Sequence, residues 1–475
     1  MRKRAINLEP NYTTRILNYA IQTCGFYPLR PIQICMFDMQ LTRARSTILN
    51  IHGLFKVDDR IDMERLAKAL NDTLNNYDIF RCRFVFHPGT SDLCQRFDGE
   101  ITPVKVEKIS DEEFELRKKN LAEPYHLTNA PLYRIYLFET PSAKYWYMDF
   151  HHALFDGIST NVLFAREVDL RYRGKPPRRI PPQYADLITN ELLISPDELA
   201  EGNAYWRDML KDFDVDKHMP PPDVQTCPNS QEEIVSFEFK NVTSDYFVGK
   251  TYTDNDFFLA ATMLALAKST GSKNSIMSWL HTGRTNMQEY RIMGMMIEQY
   301  PIAWDFDEDM TVGDYLNGLT QKINFGMKYR RSLEVVYTEG LQDDCATFIF
   351  QKGTISAHNN IFSIDGMSME MLELPEDEHD YPNEDALDFE FHAEDTGNYS
   401  LELAYVTSRY SEEAMEKFSE SIDEILLQLQ DENKKLGEII TSHVENFRKF
   451  FLDKQEDKNG RRIAIFKRLS QGNGR

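Results

Sequence analysis

The amino-acid sequence predicts a mixed α/β (α+β) protein folded as two lobes, on three observations. An apolar stripe at helical spacing feeds directly into a run of alternating residues between Asp62 and Phe86. Two aromatic-rich runs, 132–138 and 145–150, flank a short Pro-Ser-Ala-Lys link. The third observation is length: single hydrophobic cores stop growing well below 475 residues, and a chain that is 41% hydrophobic and 27% charged can bury two of them.

In chain order, Met63, Leu66, Ala67, Leu70 and Leu74 fall three and four apart within 62–76, which puts one stripe on an amphipathic helix. Phe80, Cys82, Phe84 and Phe86 then alternate with Arg81, Arg83 and Val85, the period of a half-buried strand. The aromatic runs read as paired strands, the second ending at His151. Residues 158–173 suit a helix that stops at Gly174 ahead of Pro176 and Pro177. The proline-bearing stretch to Pro182 is the expected boundary between an N-terminal lobe, 1–178, and a C-terminal lobe, 179–440. That second lobe is expected to hold a strand at 234–239, a helix at 256–268, a strand at 348–351 and a hairpin over 388–406 turning at Thr396-Gly397-Asn398. A closing helix from Ser411 places Met415, Phe418, Ile422, Ile425, Leu426 and Leu429 on one face, with Ser411 as its cap. Residues 441–475 read as a basic tail or linker.

The net charge of −22 makes sequence-independent binding to nucleic acid unfavourable, because phosphates would be repelled. Cys24, Cys35, Cys82, Cys94, Cys227 and Cys345 form no CxxC pair, which points to a reducing cytoplasm and to no zinc site. No apolar stretch is long enough to span a bilayer, and the N-terminus lacks the apolar region of a secretory leader. The acidic stretch 374–385 contains His379 but lacks the oxygen spacing and turn glycine of a calcium loop, so it reads as a solvated loop and no metal is expected.

The chemistry concentrates in Asp149-Phe150-His151-His152-Ala153-Leu154-Phe155-Asp156-Gly157, at a strand end. Successive strand side chains point to opposite faces, so one of the two histidines faces a given cleft. An imidazole with a reference pKa of about 6.5 can take a proton from an attacking nucleophile at neutral pH. Asp156 can order the loop through a buried ion pair, and Gly157 can allow close backbone approach or an unusual dihedral.

This stretch resembles the HHxxxDG signature of the condensation-domain superfamily of nonribosomal peptide synthesis, and other segments resemble that family in the same order. Tyr27-Pro28-Leu29-Arg30-Pro31-Ile32-Gln33 is similar to its YPLTPxQ opening, and Asp78-Ile79-Phe80-Arg81-Cys82-Arg83-Phe84 to its ExLRTxF strand. Gln183-Tyr184-Ala185-Asp186 and Tyr205-Trp206 are similar to its YxD and YW segments. Gly283-Arg284 followed by Gly294-Met295-Met296-Ile297-Glu298-Gln299-Tyr300-Pro301 is similar to its GR and GxFVNTLP stretch.

The resemblance implies two chloramphenicol acetyltransferase-like lobes in a V-shaped pseudo-dimer with a central tunnel. It implies His152 as the catalytic residue, His151, Asp156, Gly157 and Arg284 as its support, and an Asp156–Arg284 pair. Arg81, Gly294, Met296, Glu298 and Gln299 become tunnel or substrate candidates. Glu298 and Gln299 depart from the family's Asn and Thr, and a carboxylate there is expected to favour cationic donors or acceptors. The implied activity is an acyltransferase that forms an amide between a carrier-bound acyl or peptidyl thioester and an amine. No cofactor is bound by the chain itself, and substrates arrive on the phosphopantetheine of carrier proteins. The expected partners are peptidyl or acyl carrier proteins and an adenylation domain or other synthetase modules. The alternatives are a free-standing O- or N-acyltransferase and a non-catalytic carrier-recruitment module.

Overall fold

The computed structural model describes residues 25–177, 179–211, 213, 218–224, 230–338, 346–352, 362–375 and 387–441. Most of the acidic stretch, the basic tail from 442 onward, Cys24, Cys227 and Cys345 lie outside these residues. The chain divides into two compact units. The first takes the described residues of Met1–Glu201, His281–Glu298 and Thr354–Tyr381, and the second those of Gly202–Leu280, Gln299–Gly353 and Pro382–Arg475. Where the sequence suggested one cut near residue 178, each unit is thus assembled from separate pieces of chain.

The first unit is built on a five-stranded sheet in the order Glu370–Leu372, Asn50–Val57, Lys144–His151, Tyr133–Glu139, Val106–Lys108. Its pairings are antiparallel except the last, which is parallel. The helix Met63–Asn76 forms as its periodicity predicts, with Asp62 capping the Arg65 N–H, and buries Leu66, Leu70 and Leu74 in the core. The strand expected from Phe80 starts later. Residues Asp78–Arg81 close a 3-10 turn before the strand Arg83–Phe86. The Asp78 carboxylate accepts the N–H groups of Tyr184 and Ala185, which pulls this segment out of sheet geometry, while Phe80, Cys82 and Phe84 still go inside.

A helix not evident from periodicity, Pro31–Thr42, opens the unit. Pro31 sits at its first turn, where a missing N–H costs nothing, and Gln33 accepts the Arg30 N–H at 2.9 Å. Beyond the histidine motif, Ile158–Phe164 is a π-helical turn that runs on as the helix Ala165–Tyr172. Gly174, at φ +70°, follows the end of that helix.

The second unit carries a six-stranded sheet in the order Glu298–Asp305, Asn274–His281, Thr347–Lys352, Leu387–Ala393, Tyr399–Val406, Glu232–Glu238. Its helix Asp254–Thr270 is apolar on every side and buried along nearly its whole length, as a central core helix must be. Thr253 and Asp256 form a reciprocal capping box at its start, and Gly271 leaves it at φ +67°. The helix Glu412–Leu429 is capped by Ser411 and buries the stripe read from the sequence. Among the described residues no helix is long and apolar enough to cross a membrane.

Candidate active site

The strand Lys144–His151 lies between Asn50–Val57 and Tyr133–Glu139, with His151 opposite Asn50 and Phe150 opposite Tyr133. Where the sheet ends, the His151 N–H donates to Leu132 O at 3.0 Å and the His152 N–H to Leu49 O at 2.7 Å. Successive amides are therefore held by two different neighbouring segments, which fixes the direction in which the chain leaves the sheet. Phe150 stacks on Phe155 at 4.6 Å and 6° and meets Phe164 edge-on, so the turn folds back onto an aromatic floor.

The two histidines have different chemistry. His151 is fully buried. Its Nδ1 accepts the Ala153 N–H at 3.1 Å, so Nε2 holds the proton and donates to Gln40 Oε1 at 3.2 Å. Gln40 is oriented for this role because its Nε2 donates to Arg43 O and Ser46 O. Burial, then the neighbouring His152 and Arg134, push the His151 pKa down to about 3. With its lone pair engaged, His151 is a structural imidazole. His152 is only partly buried. Its Nδ1 is enclosed without a well-formed hydrogen bond. Burial holds its pKa below the ordinary histidine value, against the opposing pull of backbone polar groups and the Asp156 carboxylate. At neutral pH the ring is in its basic form.

Asp156 joins pieces of chain. Its side chain is 1% exposed, and that of Arg284 is 0% exposed. Arg284 Nη1 donates to Asp156 Oδ2 at 2.7 Å and Nη2 to Oδ1 at 3.1 Å, a two-pronged pair. The Ser159 N–H adds a bond to Oδ1 at 2.8 Å and the Met296 N–H one to Oδ2 at 2.9 Å. Burial opposes ionisation, but Arg284 and these N–H donors outweigh it and hold the Asp156 carboxyl below its usual range. Ser159 extends the network: its Oγ accepts from Arg284 Nη2 and the Gly294 N–H, and donates to Gly294 O. Gly294 takes φ +147°, and a Cβ there would overlap the Tyr184 ring. At Gly283, with φ +65°, a Cβ would overlap the Met296 carbonyl.

Gly157 does not take the unusual dihedral that was one of its two expected uses: at φ −58° and ψ −41° it begins the π-helical turn in ordinary helical geometry. Arg81 stands apart, bonded to Gly99 O and Asn75 Oδ1. Gln299 lies in the second unit's share of its strand. Glu298 is neither solvated nor a free charge, because Arg30 Nη2 donates to its Oε1 at 2.7 Å. The expected attraction for cationic substrates therefore lacks its free carboxylate. Ser159, Gln40 and Arg30 were not singled out from the sequence. Ser159 lies two residues beyond the signature, and Arg30 replaces the Thr of the resembled opening pattern. Among the described residues no group of three or more His, Cys, Asp or Glu is placed to hold a metal ion.

Comparison with known proteins agrees on one family. Its profile, described as Condensation domain, matches residues 23–445. Surfactin synthase subunit 2 of Bacillus subtilis (strain 168) is 22% identical over 432 residues, 87% of this chain and 12% of that protein. Gramicidin S synthase 2 of Brevibacillus brevis is 22% identical over 309 residues, 62% of this chain and 7% of that protein. The chain thus spans a small part of the length of the curated relatives it matches. Among solved structures, the condensation domain from Monacolin K polyketide synthase MokA superposes with a TM-score of 0.67 at 22% identity, covering 87% of this chain and 99% of that one. The starter condensation domain of rhizomide synthetase RzmA gives 0.66 at 16% identity, covering 88% and 98%. These likenesses establish the chloramphenicol acetyltransferase-like α/β fold, and with the match across most of its length the chain belongs to the condensation-domain family.

Proposed function

We propose that this chain forms amide bonds by aminolysis of a carrier-bound acyl thioester, with His152 as the catalytic residue. The observation that supports this reading is the contrast between the two histidines: His151 is bonded at both ring nitrogens and locked as a neutral donor to Gln40, whereas His152 is only partly buried and its pKa is held below the ordinary histidine value. The acceptor amine attacks the thioester carbonyl carbon, and a C–N bond forms as the carbonyl electrons move to oxygen. His152 Nε2 takes the proton lost by the amine. When the tetrahedral oxyanion collapses, the C–S bond breaks and the phosphopantetheine thiolate leaves, receiving a proton from the imidazolium.

A thiol with a pKa of about 8.5 leaves without strong acid help, and an α-amino group of pKa about 7.7–8.0 is partly neutral already. His152 therefore acts as much by orienting the nucleophile as by moving its proton, and orientation alone supports effective molarities of about 10⁵–10⁸ M. The Asp156–Arg284 pair serves by fixing the turn on which His152 stands. Carrier proteins loaded by adenylation domains, in neighbouring modules or separate chains, supply the thioesters.

The test is to mix the chain with an acyl-loaded donor carrier and an aminoacyl-loaded acceptor carrier and weigh the carriers intact. The acceptor carrier is expected to gain the acyl mass, and recovery of the intact acyl–aminoacyl product after base cleaves its thioester to the carrier marks an amide. Transfer only to a free amine or alcohol would assign the chain to free-standing acyltransfer, and no transfer to any acceptor would support carrier recruitment without chemistry.

A further inference from the structure

We propose that Arg30 is a positioning residue of the His152 centre, and that Arg30 and Glu298 are one coupled replacement within the family's pattern. The inference rests on the His152 reading above and assigns a role to a residue outside the HHxxxDG signature. Arg30 stands where the resembled YPLTPxQ pattern has a neutral Thr, and Glu298 where GxFVNTLP has a neutral Asn. They are 268 residues apart in the chain, yet they form a 2.7 Å ion pair, with side chains 5% and 7% exposed.

A lone carboxylate at this depth is strongly disfavoured, so the Glu298 side chain needs the Arg30 guanidinium. Glu191 closes the cluster, accepting from Arg30 Nε at 3.0 Å and Nη2 at 2.9 Å. It is more exposed, at 21%, and so better screened by water.

Two paths lead from Arg30 to the catalytic turn. Through its side chain, Nη1 donates to Met295 O at 3.0 Å, a carbonyl that also accepts from Tyr184 Oη at 2.7 Å. The next residue, Met296, gives its N–H to Asp156. Arg30 thereby grips both ends of the Met295–Glu298 segment while that segment completes the Asp156 shell. Through its backbone, the Arg30 N–H donates to Gln33 Oε1, and Gln33 Nε2 donates at 3.0 Å to the carbonyl of Ala153, the residue after His152. One residue at the start of the Pro31–Thr42 helix thus steadies the histidine turn and the segment that braces it.

A double-mutant cycle with Arg30→Thr, Glu298→Asn and the double variant, each restoring the neutral residue of the pattern, tests this by urea unfolding and by turnover with loaded carriers. Arg30→Thr is expected to be the most damaging change, because it strands Glu298. Glu298→Asn should cost less, since Arg30 keeps Glu191. The double variant should recover more than about fivefold of the folding constant that simple addition would remove. Turnover should fall in kcat with KM for the carriers little changed, and recover in the double variant. Additive losses in the cycle would overturn the coupling.

If Arg30→Thr does not fold, Arg30→Lys keeps the charge without the fork. It should remain folded with lowered kcat and unchanged KM, and a wild-type kcat in that variant would overturn the positioning role. Unfolding is read without substrate, so the cycle stands or falls independently of whether His152 proves catalytic.

Discussion

His151 and His152 are neighbours in sequence whose surroundings give them opposite duties. The folded protein keeps His151 neutral down to about pH 3, whereas an unfolded chain protonates it near the ordinary 6.5. Between those values the unfolded state binds a proton that the native state does not. Stability is therefore present above 6.5 and is lost as pH falls toward 3, by about 1.4 kcal/mol per pH unit from this residue. Urea unfolding of wild type and His151→Gln at several pH values should show the variant lacking this component, and equal pH slopes would contradict the assignment. That the two histidines face different surroundings was legible from strand alternation. The reason His151 stays neutral was not, because Gln40 is 111 residues away and the pattern gives no sign that its amide is held by Arg43 and Ser46. At Gly157 the sequence left close backbone approach and an unusual dihedral both open, and the helical geometry removes the second.

At the scale of elements, the site is a strand end, a π-helical turn and the Gly283–Met296 stretch tied together through one carboxylate. Asp156→Ala removes the acceptor for Arg284, Ser159 and Met296 at once and leaves a buried guanidinium without its ion-pair partner. The expected loss is about 3–5 kcal/mol of folding stability, together with activity. Chemical unfolding measures it, and an unchanged midpoint would contradict the buried pair. Regular periodicity made the helix Met63–Asn76, the strand pair before the motif and the helix after Ser411 readable from sequence. It failed at Pro31–Thr42, which buries polar Gln33 and Gln40 alongside Ile32 and Phe37, so no clean apolar stripe marks it. The strand from Phe80 was misplaced for a related reason. Burial alternates from Phe80 to Phe84 across the end of a 3-10 turn whose Asp78 side chain bonds to residues around 184, a long-range contact.

Across the whole molecule, composition and length foretold an α/β chain with two cores, and the family resemblance foretold the Asp156–Arg284 pair, but neither indicated that the strand Glu370–Leu372 would join the first unit's sheet. Proline-rich breaks mark where the backbone changes direction and carry no information on which distant segments pair. The histidine signature remained readable because it lies in nine consecutive residues, whereas the Arg30–Glu298 pair beside it exists only after folding. The most direct measurement is single-turnover amide formation between loaded carriers by wild type and His152→Ala, with unfolding curves recorded in parallel. The variant should retain the wild-type unfolding midpoint and lose about 10²–10⁴-fold in rate. A folded His152→Ala protein that forms amide at the wild-type rate would contradict the placement of His152 at the centre of the reaction.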